Sequence, residues 1–508
     1  MKKFKRSNFS IIGILILLSS LSCTSARFAE TGLKEYLDQQ EEVFEQISVA
    51  MGTEYWNLYT GDSIADLNGP KQQFALLFSN EDLISTMNTW YQKRKAIKDA
   101  VLKRRVELWH NMLIGAKVNL DEEILELTNQ LENWLSESGV SESRPSPDEL
   151  ETMALKLMKL RNAKAKELGF ANYGEMILEI TGLGLEWFNS FVTIIDSATL
   201  KPYQDLISKI KAEQNKTDIE LSDVRKLAFQ YNVARQGPEI DKEKMSQLMK
   251  ETVENIGIEF DALPLQFEER EMPAGIGGQG FALQIPTDFR AVVRPELSLG
   301  SRLHELGHGL QWMFTATESP ILKGYEWCLG NANPAFSEGM AQTMAIFMQN
   351  PEWIKKYTHL TEKELLDQKM QTDPFAPALF RFFMTMFMFE IEFYKDLDQN
   401  PDDLTKMLNK KYLLIEEPLK QPKKLANMIL VSYPLYIHNY LIADIISWQV
   451  HATLEEKFGK DYAFNKDVGE FLEENFWETG ELFPWQIRLR RATGKELDVK
   501  GYLESLGL

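Results

Sequence analysis

The sequence predicts a mainly α-helical fold, and three observations carry that expectation. Long segments rich in Leu, Lys, Glu, Ala and Met repeat apolar residues at three- and four-residue spacing, the period of one helix face. Only one stretch, residues 280–286, looks extended. At 508 residues, 44% of them hydrophobic and 11% aromatic, the chain can bury a large core without disulfide support, and no repeat of fixed period stands out.

Taken in order, the chain opens with Lys2, Lys3, Lys5 and Arg6 before an apolar run over residues 11–18, then Ser19-Ser20-Leu21-Ser22-Cys23. That is the pattern of an export signal over residues 1–22, followed by a mature chain from 23 to 508. It resembles a bacterial lipoprotein signal, although Ser20 stands where the usual pattern has Leu; the resemblance implies lipidation at Cys23 and a bacterial envelope protein held to a membrane by lipid alone, with a plain secretory signal as the alternative. The only other cysteine is Cys328. The periodic segments 33–51, 81–116, 122–135 and 185–200 are each expected as helix. Between them, residues 136–147 read as a loop, and Ser146-Pro147-Asp148-Glu149 as a helix start with a capping box. Residues 280–285 are expected as one short strand beside a glycine-rich turn. That turn lacks the lysine of a phosphate-binding loop and has no βαβ context, which argues against a nucleotide site. A formal charge of −19 argues against nucleic acid.

The chemistry concentrates at His304-Glu305-Leu306-Gly307-His308. Residues four apart lie on nearly one helix face, so both imidazoles can reach one Zn²⁺ while Glu305 stands beside them as the base for water. Such a site needs a third protein ligand. In Asn333-Pro334-Ala335-Phe336-Ser337-Glu338 a single carboxylate enters an otherwise apolar helical run, and a buried carboxylate needs a charged partner. Glu338 is therefore the expected third ligand, with one zinc per chain. No third histidine follows the motif at the spacing of the extended patterns.

These two motifs together resemble the angiotensin-converting enzyme family of peptidyl-dipeptidases. Thr287-Asp288-Phe289-Arg290, Arg161-Asn162, Leu168-Gly169-Phe170, Asn172-Tyr173, Ile445-Ile446, Trp448-Gln449, His451 and Trp485 through Thr493-Gly494 agree with it. The related thimet-type oligopeptidases share the architecture. The resemblance implies two intertwined helical halves around a deep central cleft, zinc at its floor, and short peptides as substrates. It also implies that the strand near the zinc, at Ala282, pairs with the peptide backbone. Matching on Ile445-Ile446 and His451 gives Tyr440 as the donor to the oxyanion. Tyr433, Tyr436 and Tyr440 fall at helical spacing, which makes Tyr436 a substrate-binding neighbour and the alternate donor. Three positions depart from the family: no histidine occurs between His359 and His438, Asn439 stands where chloride-binding members carry arginine, and Gln342 replaces the aspartate that orients a zinc-bound histidine.

The reading that results is zinc-dependent hydrolysis of short peptides, with release of C-terminal dipeptides. An oligopeptide endopeptidase and an inactive binding protein of the same fold are its rivals. Release of dipeptides requires a cation for the substrate carboxylate, and Lys423 and Lys424 are the candidates.

Overall fold

The computed structural model describes residues 30–61, 64–136, 144–272, 277–416 and 418–508, which are mainly helical with one three-stranded sheet. The expected export signal and Cys23 lie outside the described residues.

The first predicted helix is the middle of α1 (Glu30–Thr60), whose buried face includes Leu33, Leu37, Phe44, Ile47 and Met51. Residues 81–116 differ from expectation, because they form two helices and not one. The first ends at Gln92, and after a short 3₁₀ turn Asp99 accepts the amides of Val101 at 2.8 Å and Leu102 at 3.0 Å and starts a fresh helix over Ala100–Asn119. Apolar periodicity carries across such a break, so period alone does not reveal it. The segment 122–135 is helical as expected. At the start of α2 (Pro147–Glu167) the capping box is present: Ser146 Oγ accepts the Glu149 amide at 3.3 Å and Glu149 Oε2 accepts the Ser146 amide at 2.8 Å. The segment 185–200 opens α3 (Leu185–Gln214), which runs on past Pro202.

The expected strand is present but is one of three. β1 (Leu265–Glu269) pairs in parallel with β3 (Asp288–Val293), which pairs antiparallel with β2 (Gly278–Gln284), so β2 is an edge strand. β1 and β3 are too short for alternation to announce them, and β1 reads as charged. α1 packs on β2 at Gly52, where an added Cβ would stand 3.3 Å from the Ala282 carbonyl oxygen.

Five further helices position the site: α4 (Leu299–Met313), α5 (Pro334–Ile346), α6 (Ala376–Lys395), α7 (Met428–Ser432) and α8 (His438–Phe458). α5 is buried on nearly every side, including Phe336, Met340 and Met344, and packs on both α4 and α8. The segment Lys363–Lys395, which ends in α6, is long and apolar enough to cross a membrane by length and composition alone; 67% of that apolar window is buried in the protein, as in a core helix. The expectation of one helix face for Tyr433, Tyr436 and Tyr440 is not met. α7 ends at Ser432, Pro434 follows, Leu435 takes a left-handed φ of 59°, and α8 begins only at His438.

Candidate metal centre

Ser298 caps α4, its Oγ accepting the Ser301 amide at 3.2 Å. Four-residue spacing then sets the His304 and His308 rings edge to face, with centroids 5.0 Å apart. The glycines of this helix lower its intrinsic propensity, and packing supplies the reason for them. A Cβ on Gly307 would lie 2.7 Å from Ala341 Cα, and one on Gly309 would lie 2.4 Å from the Phe289 ring. Only glycine lets α4 lie this close to both α5 and β3.

α5 begins at Asn333, whose Oδ1 accepts the Phe336 amide at 3.0 Å and whose Nδ2 donates to the Thr181 carbonyl at 2.5 Å; Pro334 takes the first helical position. Glu338 follows within the first turns, 7% exposed. Its Oε2 stands 3.2 Å from His304 Nε2 and 4.0 Å from His308 Nε2, and its Oε1 accepts the Tyr436 hydroxyl at 2.7 Å. One ligand atom from each of His304, His308 and Glu338 lies within 4.8 Å of the others. The far ring nitrogens are also held: His304 Nδ1 is 3.4 Å from Gln342 Oε1, and His308 Nδ1 is 3.1 Å from Ser337 Oγ. With Nδ1 engaged behind, Nε2 is the nitrogen left to face an ion, which is how ligand histidines are oriented.

The electrostatics couple the three groups: burial alone would lower His304, but the bond to Glu338 and the charge of Glu338 outweigh it and raise its pKa. Burial pushes His308 down to about 4, so its imidazole is neutral and carries a free lone pair at neutral pH. Burial alone would raise the Glu338 carboxyl, but the nearby His304, then His308 and the Tyr436 hydroxyl, outweigh it and hold the group at about 2. Two imidazole nitrogens and an ionised carboxylate, part-buried and oriented from behind, fit a divalent ion of zinc's preference. Glu305 points to the same place without joining the ligand set. Its carboxylate lies beside Gly280 of β2, and burial, with the charge of Glu338 adding to it, lifts its pKa to about 7. An ionisable base near neutrality beside a metal site can take a proton from water and return it.

The two tyrosines separate in role. Tyr436 bonds directly to a metal-ligand candidate, whereas Tyr440, 37% exposed, stands with its ring 5.5 Å from that of Tyr436. Burial, followed by the charges of Glu338 and Glu305, keeps the Tyr440 phenol protonated. His438 is 1% exposed and packs edge-on against Phe188 of α3 and Phe387 of α6, at 5.2 and 6.4 Å between centroids. It is a core histidine. Ala282 is buried on β2, and the strand residues that border Glu305 are Gly278 and Gly280, where an added Cβ would lie 3.0 and 3.6 Å from it. Lys423 holds its Nζ over the Phe389 ring at 4.1 Å.

Two residues at the centre escape sequence reasoning. Ser337 precedes Glu338 and could have been weighed as its neighbour. Glu326 could not, because it comes from the loop after Leu322; its carboxyl meets the Ser337 hydroxyl, and burial raises it to about 7. On the far side of Gln342, a cavity of about 1430 Å³ opens, with Arg235, Asp444, Tyr231 and Trp448 on its wall.

Residues 301–508 match the model of Peptidase family M3. A comparison with curated protein sequences gives no match. Among solved structures, the chain is similar to a carboxypeptidase from Pyrococcus furiosus, at 14% identity over 93% of this chain and 98% of that one, with a TM-score of 0.67. It is also similar to an M32 carboxypeptidase from Deinococcus radiodurans, at 16% identity over 92% and 97% of the two chains, TM-score 0.61. Metallocarboxypeptidase 1 of Trypanosoma cruzi gives 13% identity over 92% and 99%, TM-score 0.58. At these identities the structural likeness shows the fold. Together the comparisons support a peptidase, and they do not single out the angiotensin-converting enzyme family.

Proposed function

We propose that the chain is a zinc-dependent peptidase that shortens peptides from their C-terminal end, releasing dipeptides. The observation that carries this reading is the convergence of His304 Nε2, His308 Nε2 and Glu338 Oε2 beside Glu305, in a segment that matches a peptidase family. His304, His308 and Glu338 would hold one zinc, which polarises a carbonyl and makes water acidic enough to be deprotonated near neutral pH.

The chain's own groups do the rest. Glu305, beside Gly280 of β2, takes the proton from the attacking water and passes it to the leaving amine. The β2 edge from Gly278 to Ala282 offers backbone groups to an extended peptide, a mode that tolerates many side chains. Tyr440 donates its hydroxyl to the oxyanion as charge develops. Tyr436 lines the same site and steadies Glu338. Three solved neighbours described as carboxypeptidases favour attack from the C-terminus over internal cleavage, and release of single residues is the second reading that they support. Lys423 and Lys424 are the cations proposed for a free carboxylate; Arg235 on the cavity wall is already paired with Asp444. The basic and apolar start and the lone Cys23 support export and lipid attachment to a bacterial membrane.

Digestion of a mixed peptide pool, read by mass spectrometry with and without a chelator, tests the reading. Dipeptides lost from free C-termini, and none from amidated ones, are expected. Chelator-insensitive cleavage, or none at all from zinc-loaded protein, would overturn it.

A further inference from the structure

Between residues 418 and 437 the chain reaches the metal centre through a segment whose one described helix is the short α7, and charged side chains of α2 and α6 hold its backbone. Glu151 Oε2 on α2 accepts the Leu425 amide at 2.7 Å. Arg161, also on α2, donates to the Leu430 carbonyl at 3.3 Å and the Val431 carbonyl at 2.7 Å. Glu390 Oε2 on α6 accepts the Leu435 amide at 2.7 Å.

The last of these contacts stands apart. Glu390 is 1% exposed in a helix whose neighbouring positions include Phe387, Phe389 and Phe393. Burial raises its carboxyl to about 8, and the charges of Lys423 and Arg161 only partly offset that. An acid so placed costs free energy unless it is satisfied, and its hydrogen-bond partner here is a single backbone amide. That amide belongs to Leu435, a residue with a side chain held at a φ of 59°. A left-handed residue of this kind is strained and persists only where its surroundings impose it. The next residue is Tyr436, whose hydroxyl lies on Glu338.

We propose that Glu390 is a positioning residue: by accepting the Leu435 amide it fixes the left-handed turn that sets the Tyr436 hydroxyl on Glu338, so that a buried acid on α6 tunes the metal centre through one tyrosine. The inference rests on Glu338 being a metal ligand, as argued above. Glu151 holds the segment at Leu425, Arg161 at Leu430 and Val431, and Glu390 at Leu435, and Tyr436 stands immediately beyond that last anchor.

Zinc affinity, measured by competition with a chromophoric chelator, tests the proposal in the whole protein. Glu390→Ala and Tyr436→Phe should each weaken binding about ten- to fortyfold, within the usual effect of losing a partner of a ligand. Because both act through one hydrogen bond, the double variant should be no weaker than the worse single variant. Glu390→Gln keeps an acceptor oxygen and should bind within about threefold of the natural protein. Unchanged affinity in Glu390→Ala, or losses that multiply in the double variant, would overturn the proposal. Should Glu390→Ala fail to fold, Glu390→Asp decides, since it withdraws the acceptor by one methylene. A fivefold or greater loss is expected there, on the order of one lost hydrogen bond, and natural affinity overturns the proposal. If Glu338→Ala leaves zinc affinity untouched, the metal-centre reading itself is wrong. The crystal structure of the folded Glu390 variant then decides: Tyr436 displaced from Glu338 supports the turn's dependence on Glu390, and Tyr436 in place refutes it.

Discussion

Tyr436 and Tyr440 stand side by side, yet the geometry predicts opposite consequences for removing their hydroxyls. Tyr436 donates to Glu338 Oε1 at 2.7 Å, a hydrogen bond to an ionised acceptor worth about 1.5–3 kcal/mol net. Water can replace part of it, because Tyr436 is only half-buried. The lower half of that range, at about 1.4 kcal/mol per factor of ten, gives a loss in zinc affinity of about ten- to fortyfold for Tyr436→Phe. Tyr440 makes no such contact, and its proposed partner is charge that appears only as the bond breaks. Tyr440→Phe should therefore leave zinc affinity alone and lower kcat by roughly a hundred- to a thousandfold, with little change in KM. Zinc competition and steady-state kinetics on a zinc-saturated enzyme separate the two effects. The reasoning is refuted if Tyr440→Phe is the variant that loses zinc, or if Tyr436→Phe at saturating zinc loses as much kcat as Tyr440→Phe.

Glu305→Gln should keep stoichiometric zinc and lose a hundredfold or more of its hydrolysis, on the order of what a general base contributes; activity within tenfold of the natural enzyme contradicts the role. Gly307→Ala places a methyl 2.7 Å from Ala341 Cα, so α4 must move off α5. About 1–3 kcal/mol of stability and a measurable part of the zinc affinity should go together, and equilibrium unfolding with metal titration reads both. Burial lowers His438 to about 3 and His451 to about 4. Both are neutral in the folded chain and take up protons on unfolding, so their stability contribution is full above about pH 6.5 and is lost as pH falls toward their folded values. At pH 5 each should cost about 2 kcal/mol. Denaturant unfolding of metal-free protein between pH 7.5 and 5 measures this, and His438→Leu should flatten the slope; a slope unchanged by that substitution counts against the assignment.

The parts of this protein that the sequence makes legible are those where chemistry and period coincide. His304 and His308 had to be four apart to share a face, and Glu338 had to be the carboxylate in an apolar helix, so both could be read without a structure. The capping box at Ser146 was legible for the same reason: two side chains satisfy two amides at fixed offsets. What escaped is set by contacts between segments far apart in the chain. A break between Gln92 and Ala100 splits one apolar run into two helices with no change in period. β1 and β3 are each too short to alternate visibly, and only their mutual pairing makes them strands. The tyrosine segment shows the limit most directly. Spacings of three and four residues put Tyr433, Tyr436 and Tyr440 on one imagined helix face, and Pro434 was the one warning against it. In the structure the helix is absent but the rings still touch in sequence, at 6.0 and 5.5 Å between centroids. A left-handed turn at Leu435 replaces the helical register, and a buried acid from α6 meets that turn at its amide. No local pattern announces such a turn, because the residue that holds it lies 45 positions away in the chain.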